Sequence, residues 1–222
     1  MSSQAVEDYL KAIYKLQLRD SLVTTSALAE YLKVKPASAT GMIKKLASSN
    51  LVRHERYQGV NLTSPGEKIA LEVIRHHRLV ELYLAEALNV PWDKVHDEAE
   101  KWEHILSEDL EDRIDEILGY PTADPHGAQI PSRDGTMDDR PVYQLSELEV
   151  GNRAIITEVR DEDADLLRHL GELKLYPQTE IEVVSISPFD MLMTIRSYLE
   201  SGNSGDLVIG QKVASSISVT IL

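Results

Sequence analysis

The chain contains no cysteine among its 222 residues. This absence excludes disulfide bonds, thiolate zinc sites and cysteine nucleophiles, so any metal ligands must be oxygen or nitrogen atoms. No apolar run approaches the roughly 18 residues that suggest a transmembrane helix,. The N-terminal segment also lacks the basic and apolar regions of a signal peptide. We therefore expect a cytoplasmic protein with no membrane partner.

The net charge of −14 is distributed unevenly along the chain. Residues 1–70 carry a net charge of +4, residues 71–150 carry −13 and residues 151–222 carry −5. The overall charge argues against nucleic-acid binding, but the basic first segment is compatible with contacts to phosphate groups. The acidic remainder is suited to binding cations.

Three segments with different periodicity divide the chain. Apolar residues at helical spacing, two short helices joined by a turn, and a hairpin at Gln58–Gly59 predict a winged helix-turn-helix over residues 1–66. Two long amphipathic helices, over about 64–88 and 92–118, and a linker rich in Pro, Gly and Asp predict a helical dimerisation domain over residues 67–143. Alternatively, these helices pack only on their own core. Short β-like runs around one helix predict a small β-barrel over residues 144–222. The fold class is thus mainly α with a C-terminal β domain.

The predicted head carries side chains suited to DNA. Its second helix begins at Pro36, and we expect the start of that helix to read bases while basic residues of the helix and wing contact phosphates. The candidates for base readout are Pro36, Ala37, Ser38 and Thr40. The other candidates are Lys44, Lys45, Arg53 and Arg56, with Tyr57 beside them on the wing. The alternative is that the wing residues are ordinary surface residues.

The stretch VHDEAEKWEH, residues 95–104, is unusually rich in histidine and acids. A continuous helix turns about 100° per residue and would place four of its side chains on one face. These are His96, Glu100, Glu103 and His104. Imidazole and carboxylate groups bind divalent cations of hard to intermediate character. The alternative is a solvated acidic face with two incidental histidines.

Further histidines and acids occur in pairs elsewhere. His77 and Glu81 are four residues apart on the first long helix and share a face,. Asp124 and His126 flank a proline in the linker, and the helix of the third domain begins near DEDAD, residues 161–165. Each feature alone is typical of a solvated surface, but together they favour a metal site.

The ordered motifs of the chain resemble the diphtheria toxin repressor family of metal-dependent transcriptional regulators, in the three-domain form of its manganese-responsive branch. The resemblance covers nearly the whole chain. It rests on EDYLKAIYKL, LTSPGEKIA, HHRLVELYL, VHDEAEKWEH, DPHGAQIP and LLRHLGELKLYPQTEIEV. It implies an FeoA-like third domain, a homodimer, and a double-stranded DNA operator as partner.

The resemblance also implies two metal sites in each chain. The first would join the first helix to the dimerisation domain through Asp8, Glu100, Glu103 and His104. The second would contain His77, Glu81 and His96. The three-domain manganese members add positions that match Asp124, His126, and Glu162 or Asp165.

Four positions depart from relatives of this family. Asp8 and Glu100 stand where iron-responsive members carry Met and Cys, and Asp124 stands where the linker usually has Cys. Oxygen in place of sulfur at the first two positions favours Mn²⁺ relative to Fe²⁺ and softer ions. Lys11 replaces a Glu of the smaller manganese members. Because an ammonium group is not a ligand, we do not expect their closely spaced two-metal cluster.

We therefore expect a Mn²⁺-dependent repressor of metal-uptake genes that acts when Mn²⁺ is sufficient, with Fe²⁺ as the competing cofactor and other divalent metals bound in vitro. The alternatives are an iron-responsive repressor of the same family, a metal-independent winged-helix regulator, a hydrolytic metalloenzyme and a metal buffer. No separate general base, phosphate loop or nucleophile motif accompanies the histidines and acids, so we expect neither an enzyme nor a small-molecule substrate.

Overall fold

The polypeptide packs as two units. The computed structural model describes residues 3–19, 22–55, 59–138, 141–198 and 204–222, so the predicted DNA contacts Arg56 and Tyr57 lie outside the described residues. The first unit comprises residues 1–77, 101–111 and 131–136, and the second comprises residues 78–100, 112–130 and 137–222. The predicted division at residues 66 and 143 stays a prediction. None of the described helices has both the length and the apolarity needed to cross a membrane.

The N-terminal part of the first unit is a winged helix-turn-helix, as predicted. Its elements are α1 (Gln4–Arg19), α2 (Thr25–Tyr31), α3 (Pro36–Ser48), β1 (Val52–Glu55) and β2 (Gly59–Leu62). Helix α2 begins where the Thr24 hydroxyl accepts a hydrogen bond from the Ala27 N–H at 3.0 Å,. Strands β1 and β2 pair antiparallel. Leu10, Leu28 and Ile43 meet in a buried core that fixes the three helices.

The central part of the chain contains α4 (Ser64–Leu88), α5 (Val95–Trp102) and α6 (Glu108–Ile117). The prediction of one helix over about 92–118 is wrong. The Trp102 carbonyl accepts the N–H groups of Ile105 and Leu106 in a turn that ends α5. Ser107 then starts α6, since its hydroxyl accepts the Leu110 N–H at 3.4 Å,. Glu103 and His104 therefore lie in the turn, not on the helix face that their spacing suggested.

The C-terminal β domain that the sequence predicts is confirmed within the second unit. Its strands are β3 (Tyr143–Gln144), β4 (Arg153–Val159), β5 (Glu180–Ile186), β6 (Met193–Tyr198), β7 (Ser204–Ile209) and β8 (Ile217–Ile221). They form an antiparallel sheet in the order β3-β8-β4-β5-β6-β7. Helices α7 (Ala164–Glu172) and α8 (Gln211–Ala214) accompany it. Leu167 and Leu170 on α7 are buried with the inward side chains of β4 and β5, such as Ile156 and Ile181.

A buried ionic network stabilises the first unit. The Arg75 Nε donates to Glu111 Oε1 at 2.5 Å, and its Nη1 donates to the Pro131 carbonyl at 2.8 Å. The His76 nitrogens lie 3.1 Å from Glu111 Oε2 and 3.1 Å from the Glu103 carbonyl. Both partners are acceptors, so both nitrogens donate and His76 is an imidazolium. The hydrogen bond from His76, with Arg75, lowers the pKa of Glu111 to about 2.

Replacing this buried acid should destabilise the protein. We expect Glu111→Gln to reduce the free energy of unfolding by about 3 kcal/mol, because Arg75 and His76 keep their charges without a carboxylate. Chemical denaturation at pH 7 measures the loss. Glu108→Gln is the matched control on α6: its side chain is 83% exposed, and we expect a change below about 0.5 kcal/mol. Equal losses in the two variants would contradict the prediction.

The same network predicts a pH dependence of stability. The folded pKa of Glu111, about 2, lies below the ordinary value of 4.5. The contribution of Glu111 to the free energy of unfolding is therefore fully present above about pH 4.5 and is lost as the pH falls towards 2. The difference in unfolding free energy between the unaltered chain and Glu111→Gln should shrink over this range. A constant difference from pH 5 to pH 2.5 would contradict the assignment.

Candidate metal centres and DNA-binding surface

The head cluster consists of Asp8, Glu103 and His104. Each offers one ligand atom, and these atoms lie within 4.8 Å of one another. His104 Nε2 lies 2.7 Å from Asp8 Oδ1 and 3.3 Å from Glu103 Oε1. Asp8 comes from α1, while Glu103 and His104 come from the turn between α5 and α6. Two carboxylates and an imidazole converging in this way fit a divalent cation.

Glu7 orients the histidine of the head cluster. Its Oε2 lies 2.6 Å from His104 Nδ1, so the opposite ring nitrogen faces Asp8. A carboxylate on the remote nitrogen of a metal-binding histidine commonly fixes the tautomer and the ring orientation. The sequence analysis missed Glu7, although its position next to Asp8 in α1 was the available signal.

Lys11 and His77 adjoin the head cluster at Glu103. The Lys11 ammonium donates to both Glu103 oxygens, at 2.8 and 2.7 Å, and lies 3.4 Å from His77 Nδ1. His77 Nδ1 also contacts Glu103 Oε2. Burial alone would raise the pKa of Glu103, but the His77 hydrogen bond and the Lys11 charge outweigh it and hold the pKa below its usual value. The family resemblance implies His77 for the second site, but one of its ring nitrogens contacts Glu103 of the first site.

The linker cluster consists of Glu81 on α4 with Asp124 and His126 of the DPHG motif. All three are buried, Glu81 and His126 completely, and their ligand atoms lie within 4.8 Å of one another. His126 Nε2 lies 2.8 Å from the Trp92 carbonyl, an acceptor, so this nitrogen donates,. The other nitrogen, Nδ1, faces Glu81 Oε2 at 3.7 Å. In the neutral ring this nitrogen carries the lone pair that a metal ion requires.

The loop around Gly127 sets the orientation of Asp124. Asp124 Oδ1 accepts the N–H groups of His126 and Ala128, at 2.8 and 3.0 Å. Gly127 has φ +87°, and a Cβ there would lie 2.0 Å from the Thr157 carbonyl oxygen, so only glycine fits,. Among the described residues, neither Asp124 Oδ2 nor His126 Nδ1 has a hydrogen-bond partner. Buried polar atoms in this state are rare, and here they fit the ligand atoms of a cation.

His96 and Asp161 extend the linker cluster. His96 Nδ1 lies 3.1 Å from Glu81 Oε1 and 3.6 Å from Asp161 Oδ2. Its Nε2 lies 3.9 Å from Glu100 Oε1, which places Glu100, implied for the first site, beside a residue implied for the second. Helix α5 thus carries His96 and Glu100, one residue from each implied site, one turn apart,.

The acid that the C-terminal domain contributes is one that the sequence analysis did not select. Asp161 approaches His96, whereas Glu162 is exposed and Asp165 is 91% exposed and bonded to Arg168 at 2.8 Å. Asp165 points away because it lies in the first turn of α7, while Asp161 precedes that helix. Ligation by Glu162 or Asp165 stays a prediction that this arrangement does not favour. The DEDAD stretch was the signal, but its spacing could not single out one acid.

The linker cluster binds protons tightly. Burial lowers the pKa of each histidine, but the hydrogen bonds of Asp161 and Glu81 raise that of His96 to about 10, and Glu81 with Asp124 raises that of His126 to about 9. Burial, then the charge of Glu81, raises the pKa of Asp124 to about 7. A cation that binds these atoms must therefore displace protons at neutral pH.

The predicted base-reading residues lie at the exposed start of α3. Pro36, Ala37 and Ser38 are exposed, and the Thr40 hydroxyl donates to the Pro36 carbonyl at 2.9 Å. Lys44 and Lys45 on α3 and Arg53 on β1 are also exposed. This surface can accept a DNA duplex, and the individual contacts stay predictions.

Three family models together match most of the chain. The model described as "Iron dependent repressor, N-terminal DNA binding domain" matches residues 1–60. The model described as "Iron dependent repressor, metal binding and dimerisation domain" matches residues 63–132. The FeoA domain model matches residues 143–221.

Individual proteins are similar over long stretches. The iron-dependent repressor IdeR of Mycobacterium leprae is 30% identical over 189 residues, which cover 80% of this chain and 82% of that protein. The regulator MntR of Oceanobacillus iheyensis is 37% identical over 120 residues, which cover 54% of this chain and 81% of that protein. A solved manganese-dependent transcriptional repressor in complex with manganese is 35% identical, with a TM-score of 0.90, over 98% of this chain and 100% of that chain.

Proton release provides a test of the linker cluster. We expect Mn²⁺ affinity to rise with pH between 6 and 8, by about tenfold per unit for each proton displaced, because the histidine pKa values lie above this range. Calorimetric titration in buffers of different ionisation enthalpy counts the protons released. His126→Gln should release about one proton fewer. The exposed control His169→Gln should match the unaltered chain, and equal release by all three proteins would contradict the assignment.

Proposed function

The chain belongs to the diphtheria toxin repressor family of metal-dependent transcriptional repressors, and on this premise we propose that it is a Mn²⁺-dependent repressor of metal-uptake genes. The observation that carries the proposal is the head cluster. It links α1 of the DNA-binding domain to the turn after α5 through carboxylate and imidazole groups alone. We propose metal-uptake genes as the targets because a repressor that acts when its metal is plentiful would reduce further uptake of that metal.

The choice of Mn²⁺ rests on the chemistry of the ligands. The chain offers no thiolate, and the two candidate clusters contain only carboxylate and imidazole ligands. Such ligands suit Mn²⁺ better, relative to softer ions, than sulfur does. They do not bind Mn²⁺ more tightly than Co²⁺, Ni²⁺ or Zn²⁺, so selectivity also depends on coordination number and on the metals that the cell leaves free. The similarity to the iron-dependent repressor IdeR keeps an iron-responsive repressor as the second candidate.

We assign the metal ligands to two groups. The first contains Asp8, Glu103 and His104, with Glu100 carried over from the family resemblance. The second contains Glu81, Asp124 and His126, to which we add His96 and Asp161. His77 contacts Glu103, and we assign it to neither group alone.

The chain's own side chains explain how a metal could control the head. A bound divalent cation supplies positive charge that holds Asp8 and Glu103 together. In its absence His104 contacts Asp8 and Lys11 contacts Glu103, so these ion pairs hold the two carboxylates instead. Repulsion between the acids alone therefore does not describe the metal-free protein. Ligation by Asp8 would fix α1, and with it the position of α3.

DNA binding completes the proposal. Two heads of a homodimer would place two copies of α3 in successive major grooves, as the two-fold symmetry of many operators requires. The exposed Lys44, Lys45 and Arg53 would contact phosphates. Since metal and operator favour the same state, each should tighten the binding of the other. We assign no catalytic residue.

The first experiment selects genomic DNA fragments on the full chain with Mn²⁺ and again with EDTA. We expect fragments to be recovered only with Mn²⁺, since ligation fixes the head. Equal recovery with EDTA would indicate a metal-independent regulator, and no recovery in either would contradict a DNA-binding role. An anaerobic arm with Fe²⁺ at matched free concentrations separates the candidates: recovery at lower Fe²⁺ than Mn²⁺ would favour the iron-responsive repressor.

A single substitution tests the head cluster on the recovered fragments. Asp8→Asn should weaken Mn²⁺-dependent binding by at least about tenfold, because an amide oxygen carries no charge for the cation. Its circular dichroism spectrum should be unchanged. Asp109→Asn makes the same change at an exposed position of α6 and should bind normally. Full affinity in Asp8→Asn would remove Asp8 from the site.

A further inference from the structure

Lys11 places a positive charge inside the head region. The residue is only 6% exposed, and a buried ammonium is costly unless an acid compensates it,. Glu103, itself buried, provides that acid through both of its oxygens. The third neighbour of the ammonium is His77 Nδ1, at 3.4 Å. Lys11 is therefore an integral part of the cluster that Asp8, Glu103 and His104 form.

The ammonium occupies oxygens that a cation would need. Glu103 Oε1 lies 2.8 Å from Lys11 Nζ and 3.3 Å from His104 Nε2, so the same oxygen faces both groups. Glu103 Oε2 lies 2.7 Å from the ammonium. A divalent cation bound by Asp8, Glu103 and His104 would lie close to the Lys11 ammonium. Two positive charges that lie close together and are shielded from water repel each other strongly.

We propose that Lys11 is a built-in competitor of the metal ion in the head cluster, which sets the metal concentration at which the cluster fills. The proposal rests on the proposed function, since it concerns the same site. The ammonium neutralises Glu103 in the resting protein and so keeps the buried acid stable without metal. Metal binding must weaken that ion pair, and the apparent affinity is lower by the cost of doing so. Lys11 thus sets the metal affinity of the head cluster without being a ligand.

The test compares Mn²⁺ binding by the full chain and its variants, by electron paramagnetic resonance counting of free Mn²⁺. The Mn²⁺-binding step that is lost in Asp8→Asn is the step that belongs to the head cluster. Lys11→Gln keeps a hydrogen-bond donor for Glu103 but removes the charge, and we expect its Mn²⁺ affinity at this step to rise by about tenfold or more. Lys11→Arg keeps the charge and should stay within about threefold of the unaltered chain.

A matched control separates competition from a general change in charge. Lys15→Gln removes one positive charge from α1 one turn further along, at a position that is only half-buried,. Its affinity should change by less than about twofold, because solvent screens a distant charge. Tighter binding in Lys15→Gln equal to that in Lys11→Gln would overturn the proposal. Unchanged or weaker binding in Lys11→Gln would also overturn it, and would make Lys11 a residue that merely positions Glu103.

A second measurement needs no substitution and covers the case in which Lys11→Gln does not fold. A buried ammonium exchanges its protons slowly, and ¹⁵N-detected lysine side-chain spectra report it. Titration with Cd²⁺, a diamagnetic divalent cation, should shift or remove the Lys11 signal as the head cluster fills. An unchanged signal at saturation would overturn the proposal. Absence of any Mn²⁺ or Cd²⁺ binding by the unaltered chain would instead contradict the proposed function.

Discussion

The need to compensate buried negative charge governs the architecture around both clusters. A buried carboxylate is tolerated only when cations, imidazoles or N–H donors replace the water that it loses. The buried acids among the described residues meet this requirement with side chains from elsewhere in the chain and, at Asp124, also with N–H groups of its own loop. Glu103 faces Lys11 and His77, Glu111 faces Arg75 and His76, Glu81 faces His96 and His126, and Asp124 faces Arg78 and two backbone N–H groups.

The completeness of that compensation separates structural ion pairs from candidate metal ligands. Each Glu111 oxygen accepts a hydrogen bond from Arg75 or His76, so this acid is compensated without a cation. In the linker cluster, Asp124 Oδ2 and His126 Nδ1 are buried but lack a hydrogen bond among the described residues. The head cluster lies between these cases, since Glu103 is bonded to Lys11 while the adjacent His104 and Asp8 pair with each other. Metal binding there exchanges one set of ion pairs for another.

The carboxylate at position 124 also shows how a hard ligand is held in place. One oxygen accepts two backbone N–H groups of the tight loop, while the second lies 3.7 Å from Arg78 Nε and has no hydrogen bond among the described residues. The glycine of the motif is required because the Thr157 carbonyl occupies the space of a side chain. The loop therefore presents an oxygen atom, and oxygen suits Mn²⁺ better, relative to soft metals, than sulfur does.

The sequence by itself determined most of the elements of this protein and the types of side chain available as candidate metal ligands. Periodicity and turn residues were sufficient for the winged helix-turn-helix and the C-terminal β domain, and the absence of cysteine limited the candidate metal ligands to oxygen and nitrogen atoms, because these depend on local patterns or on composition. Only the tertiary structure decided which side chains meet. It ended α5 before Glu103, brought Asp161 rather than Glu162 or Asp165 to His96, and placed Lys11 on Glu103. Such contacts join residues up to 97 positions apart, and they follow from the packing of whole elements, which no local spacing encodes.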